Sequence, residues 1–332
     1  MSNPFSTGPS HAGSGTIYLA LLPPKTPKLR TLSYQYPLKL VSPSPLRLEK
    51  DPNLLVHTVY LLTYGGGLVA GDSIDLRITL EGDTRLVLLT QGSTKLFKTT
   101  SRDVTSKQRM TVSLAPESAM CYLPDPVQPF EKSSFEQQQI YEVLQSHSKS
   151  SSVCALDWVS NGRPANGENW SFYRYGSKNE FYLLDSEGQR RLLLRDNMLL
   201  DDGSSEGSIA SRMDDLGVYG TLILYGPLFE RLGHFFMEEF KALPRIGGRK
   251  WDSGSDSGDD IDQDPALIRR AERQRRDVAD GLLWSAASVR GCVVVKFGAQ
   301  EVEHGRRWIR SMLLEEGTVA GEFGERALLC LR

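Results

Sequence analysis

The sequence has no apolar run approaching the length needed to cross a bilayer, so a membrane-spanning helix is not expected. Metal-site patterns are equally scarce. Cys121, Cys154, Cys292 and Cys330 are widely spaced with no C-x-x-C, which argues against a zinc site and offers no disulfide framework. Buried free thiols are the expectation. The histidines, at positions 11, 57, 147, 234 and 304, form neither H-x-x-x-H nor H-E-x-x-H, so neither a zincin nor a histidine-rich metal store is indicated. No G-x-S-x-G elbow accompanies a plausible triad. A formal net charge of −2 gives nothing to attract nucleic acid or an anionic lipid surface. Residues 1–16 are rich in Ser, Gly and Pro and lack a basic stretch leading into an apolar one, which points to a flexible N-terminal segment on a soluble, cytoplasmic protein. What remains, 39% hydrophobic and 24% charged over 332 residues, is ordinary globular composition, and residues 17–332 are taken as one domain.

The most informative stretch runs from Leu61 to Lys98. Gly65, Gly66, Gly67 and Gly71 crowd a hinge that ends in Asp72, and such crowding suits backbone at positive φ or packed against another segment. Ile74, Leu76, Ile78 and Leu80 then alternate with Asp75, Arg77, Thr79 and Glu81, the period of a strand with one face on a core. After a turn at Gly82 and Asp83, Arg85 to Thr90 is a continuous apolar run of the kind buried on both faces. It delivers Gln91 to Lys95 as a second polar turn at a strand end. Gly65, Gly67 and Ala70 match the spacing of a dinucleotide fingerprint, but a strand follows where that site needs a helix N-terminus, and the second turn lacks the Gly-Lys order of a phosphate loop.

Short apolar runs at 17–22, 38–41 and 54–62 are separated by proline-bearing turns, and further strands are expected at 110–114, 119–123, 134–142, 153–159, 172–175, 180–185 and 191–194. Gln137, Gln138 and Gln139 read as solvated positions on their strand. Helices come late: Pro227 to Leu243, Asp264 to about Ala287, and Ala299 to Leu314. Their aromatic faces, with Phe229, Phe235, Phe236 and Phe240 or Trp308, Ile309 and Met312, exceed what a thin β scaffold should cover and are expected to form an interface. Linker-like insertions near 201–212 and 251–264 are expected to be disordered. The fold class is therefore mainly β (β-rich α+β), with a few helices in the C-terminal third.

Four motifs in order carry a resemblance. They are GGGLVAGD at Gly65 to Asp72, TQGSTKLFKT at Thr90 to Thr99, the Tyr122-Leu123-Pro124-Asp125 turn with Pro129, Phe130 and 135–139, and Asp157 with Gly162, Arg163, Gly167 and Glu168. Together they resemble the urease accessory protein UreD (UreH) family. The resemblance implies an elongated, multi-strand β scaffold without catalytic activity or a tightly bound cofactor. It further implies assembly with UreF, UreG and the urease apoprotein, and help in delivering nickel to the urease active site. On their own, Asp72, Asp157 and Glu168 read as turn caps or as a partner for Arg163. The resemblance turns Asp72, Asp157 and Glu168 into candidate oxygen ligands of a transient nickel route, with Thr94 and Lys95 lining it. Lys95, a cation, is expected to pair with one of the carboxylates. The rival from another class is a β-rich carbohydrate hydrolase with Asp72 and Asp157 as its acid/base pair and Trp158 and Trp170 as sugar platforms.

Overall fold

The computed structural model describes residues 11–48, 51–144, 149–185, 187–203, 205, 207–243 and 265–332. The expected acidic insertion at 251–264 lies outside them, as do residues 1–10. Two sheets face one another. The front sheet runs Arg190–Asp201, Arg174–Leu184, Ser134–Leu144, Ser106–Leu114, Ser73–Leu80, Ser14–Leu22 and Thr26–Tyr34. The back sheet runs Leu283–Val289, Cys292–Ala299, Val218–Tyr225, Ser152–Ser160, Ala119–Tyr122, Arg85–Leu89, Asp51–Thr63 and Leu38–Val41, with Leu46–Leu48 also on Asp51–Thr63. The mainly β class expected from the period-two runs is what forms.

The alternation in Ser73–Leu80 works as expected: Ile74, Leu76, Ile78 and Leu80 are buried between the sheets, and Leu86 to Leu89 are buried on both faces of the back sheet. The chain does not fold back in hairpins through this region. From Asp51 to Leu184 it passes repeatedly from back to front to back, so neighbours in each sheet are parallel: Ser73–Leu80 with Ser106–Leu114, that strand with Ser134–Leu144, and Arg85–Leu89 with Ala119–Tyr122. The first three windings each contribute two residues to a small parallel sheet on a third side, Gly67–Leu68, Lys95–Leu96 and Gln128–Pro129, and the turn of the fourth forms its own antiparallel pair, Gly162–Arg163 with Glu168–Asn169. Successive windings therefore stack equivalent turns on one another.

Two cores result. One lies between the sheets, and the other lies behind the back sheet, where Val87, Leu156, Trp158, Val295 and Phe297 meet the helical layer. That second core corrects the expected interface: Phe229, Phe236, Trp308, Ile309 and Met312 are all buried, Trp308 against Phe236, Trp284 and Phe297. The missing partner was the hairpin of Leu283–Val289 with Cys292–Ala299. The expected helix to Ala287 stops at Ala279, since Gly281 takes a positive φ and the next residues pair as that strand. The strands expected at 172–175, 180–185 and 191–194 are parts of two longer ones, Arg174–Leu184 and Arg190–Asp201. Pro27 falls inside Thr26–Tyr34, which is tolerated because that strand is an edge. Part of the insertion expected near 201–212 is built: Ser208 caps Ile209–Met213, whose Ile209 and Met213 are buried. All four cysteines are free and buried.

Candidate functional site

The four sequence motifs are equivalent turns of successive windings, and this brings them together. Gly65, Gly66 and Gly71 adopt positive φ, while Gly67 is extended and serves close approach: a Cβ there would meet the Lys95 carbonyl oxygen at 2.3 Å. Gly67 and Leu68 pair with Lys95 and Leu96, and the Thr94 carbonyl accepts the Gln128 amide at 2.9 Å. Gln128 Nε2 in turn donates to the Gly162 carbonyl at 2.9 Å, and a Cβ on Gly162 would sit 2.7 Å from the Pro129 carbonyl oxygen.

Asp72 is half-buried and caps its own turn, its Oδ2 accepting the Val69 amide at 2.9 Å. Glu168 is clamped. Arg163 donates Nε at 2.8 Å and a second nitrogen to it, the Glu131 amide adds 3.1 Å, and Lys98 Nζ lies 3.6 Å away. The Arg163 bonds, above all, hold the Glu168 carboxyl down at about 2. Arg163 also lies 3.7 Å over the Phe130 ring. Thr94 is half-buried beside this cluster and Lys95 is exposed; the cations on Glu168 are Arg163 and Lys98, where Lys95 was the expected partner.

Asp157 lies elsewhere, between the sheets, and is 4% exposed. Its Oδ1 accepts Gln137 Nε2 at 2.6 Å; its Oδ2 accepts Asn179 Nδ2 at 2.7 Å and the Ser177 hydroxyl. Burial raises its pKa, and the three donors oppose that rise. These donors come from the front sheet and Asp157 from the back one. The polar layer continues: Thr221 pairs with Asp157 and with Lys296, and Asn179 pairs with Asp196, which Lys296 Nζ reaches at 2.6 Å. Thr221 Oγ1 is buried without a hydrogen-bond partner among the described residues. A layer of polar side chains thus crosses an otherwise apolar sandwich, from Gln137 to an ion pair that is partly exposed at Lys296.

Gln137 and Gln139 were expected in solvent, and both are buried. The signal was available in Phe135, Tyr141 and Val143, which share their side of the strand and are apolar. The Asp72, Asp157 and Glu168 carboxylates are each engaged by different partners, and among the described residues no three His, Cys, Asp or Glu gather to hold a metal ion. The geometry does not suit the hydrolase reading. Trp158 and Trp170 are buried with their indole N–H groups on the Pro124 and Leu216 carbonyls, so neither offers a sugar platform.

The stacked motifs have counterparts in known proteins: the family model described as UreD urease accessory protein matches residues 15–326. The chain belongs to the UreD family. It is 32% identical over 335 residues to Urease accessory protein 4 of Cryptococcus neoformans var. grubii, covering 93% of this chain and 92% of that one. It is 34% identical over 209 residues to Urease accessory protein D of Arabidopsis thaliana, covering 63% and 67%. In this UreD chain, Thr90 and Asp125 tie two of the family-like turns together. The Thr90 hydroxyl donates to Asp125 Oδ2 at 3.0 Å and accepts the Asp125 amide at 2.8 Å, while Arg306 from the helix Val302–Glu316 reaches Asp125 Oδ1 at 3.1 Å. No helix among the described residues is long and apolar enough to cross a membrane.

Proposed function

We infer that this chain acts in urease maturation as a noncatalytic scaffold: it assembles with UreF, UreG and the urease apoprotein, in the cytoplasm, and the polar layer of its sandwich is part of the route by which nickel reaches the urease active site. Family membership supports the maturation role. The observation that carries the route is the buried layer around Asp157, because polar groups this deep have no purpose in packing and cost stability unless each is satisfied. Carboxylate, amide and hydroxyl oxygens suit a passing cation, which must bind weakly enough to leave. A nitrogen and sulfur cage would hold nickel too tightly, given its place in the affinity order of divalent metals. Asp157 and Thr221 form the central lining. Asp72 and Glu168, with Thr94 and Lys95, belong to the neighbouring turns at the side of the sandwich, where nickel would arrive or depart.

The test is to express the Asp157→Asn and Thr221→Val variants with UreF, UreG and apourease, and to measure assembly by pull-down and nickel per urease in the same samples. Full assembly with reduced nickel is the expected result. Loss of nickel only in proportion to loss of assembly would reject the route and leave Asp157 a structural residue.

A further inference from the structure

Among the described residues, three of the four edges of the two large sheets carry features that discourage pairing with another strand. Thr26–Tyr34 has Pro27 with exposed Lys28 and Arg30, and a register shift in its pairing. Arg190–Asp201 exposes Arg190, Arg191 and Arg195 and is also bulged. At the far side of the back sheet, Leu38–Val41 is four residues long and exposes Lys39. The fourth edge differs. Leu283–Val289, Leu-Trp-Ser-Ala-Ala-Ser-Val, has no charge and no proline, and among the described residues it is terminal in its sheet, paired on one side only with Cys292–Ala299. Trp284 and Ala286 turn toward the helical layer, while Leu283 is 66% exposed and Val289 40%.

We propose that this edge is a homodimer seam, at which a second copy of the chain pairs antiparallel through Leu283–Val289 about a two-fold axis at Ala286. The strand is complementary to itself in that register. Leu283 faces Val289 of the other copy, so two exposed apolar side chains cover one another; Ser285 faces Ala287; on the helix side Trp284 faces Ser288 and Ala286 faces Ala286. No charged side chain enters the seam, so no like charges meet there. A net charge of −2 leaves little repulsion between copies.

Sedimentation of the purified full-length chain over a concentration series tests this, with capture between differently tagged co-expressed copies as a second readout. Wild type is expected to be a dimer that dissociates on dilution. Ser285→Lys with Ala287→Lys sets two ammonium groups opposite each other across the seam and is expected to give monomer. Ser285→Glu with Ala287→Lys sets opposite charges there and is expected to restore the dimer. Ser285 and Ala287 are exposed, so unchanged melting by circular dichroism serves as the fold control. A wild-type chain monomeric at every concentration, or two double variants that behave alike, overturns the proposal. If exchange of the 283–289 amides slows only in the complex with apourease, the edge belongs to another partner and the homodimer is rejected.

Discussion

Gln137 and Asp157 face each other across the sandwich, amide to carboxylate at 2.6 Å, and join the front and back sheets within the buried polar layer. The same Gln137 nitrogen lies 2.9 Å from Ser177 Oγ and 3.3 Å from the Tyr175 hydroxyl. Gln137 thus bonds both Asp157 and Ser177, a second donor to that carboxylate. Replacing Gln137 with leucine should cost about 1–3 kcal/mol, because a buried carboxylate oxygen loses its donor. Glu136→Leu one residue before, where a half-exposed carboxylate meets the half-exposed Arg174 at 3.2 Å, should cost less. Denaturant unfolding of the two variants measures the difference; equal costs would mean that the inter-sheet bond adds nothing.

Burial raises the Asp157 pKa above its ordinary 3.8, so the folded chain holds that proton more tightly than the unfolded chain. Between 3.8 and the raised value, the folded state is the more protonated one, and stability falls as pH rises through that window. Asp157→Asn cannot titrate. The stability of wild type relative to this variant should therefore decline as pH rises from the ordinary carboxylate range, then level off. Unfolding midpoints at several pH values test the slope, and a gap that widens in favour of wild type would contradict the burial argument.

Glu168 behaves in the opposite sense. Its carboxyl is lowered from 4.5 to about 2, chiefly by the Arg163 hydrogen bonds, so its contribution is complete above 4.5 and is lost as pH falls from there to about 2. Glu168→Gln should lower stability at neutral pH by about 1–2 kcal/mol, less than the full shift implies because Arg163 and Lys98 are partly solvent-exposed. Wild type and variant should converge near the acid end. Persistence of the gap there would place the loss in packing and not in charge.

Much of this architecture was legible because single strands announce themselves. The alternation at 73–80 and the apolar run at 85–89 specified which faces are buried, and the glycine hinge specified close backbone approach, which Gly67 makes to Lys95. Parallel winding was not legible, since period-two patterning is the same whether the next strand returns beside its predecessor or crosses to the other sheet. The helical faces misled for a related reason. Apolar residues on a helix report that something covers them without saying what, and the cover was a hairpin whose Ser and Ala content resembles helix. Gln137 was missed because amide chemistry was weighed above the strand period. Among the candidate site residues, the sequence brought the turns bearing Asp72, Thr94 and Glu168 into one family pattern, but it could not say that Asp157 lies in a separate layer.

The second core makes a plain prediction. Trp308 is 3% exposed and packs on Phe236, Trp284 and Phe297, so Trp308→Ala should cost about 3–5 kcal/mol in the isolated chain. An interface residue would instead leave the isolated chain nearly unchanged and weaken only its complexes. Thermal unfolding without any partner separates the two.

Asp72 offers the sharpest division between structure and transport. Its Oδ2 accepts the Val69 amide at 2.9 Å, and its main chain ties the turn further, the Asp72 amide to the Val69 carbonyl at 2.9 Å and the Lys107 amide to the Asp72 carbonyl at 2.8 Å. Asparagine keeps an oxygen that can accept from Val69 but carries no charge; alanine removes both. Asp72→Ala should therefore lose about 1 kcal/mol of stability while Asp72→Asn stays close to wild type. If the charge attracts a passing cation, both variants should lower nickel per urease, and Asp72→Asn should do so with assembly intact. If the cap is the whole role, Asp72→Asn should deliver nickel as wild type does and only Asp72→Ala should fall, in step with complex yield. Stability, pull-down yield and nickel content measured together on the two variants decide between these outcomes, and a normal nickel content in Asp72→Asn would remove Asp72 from the route.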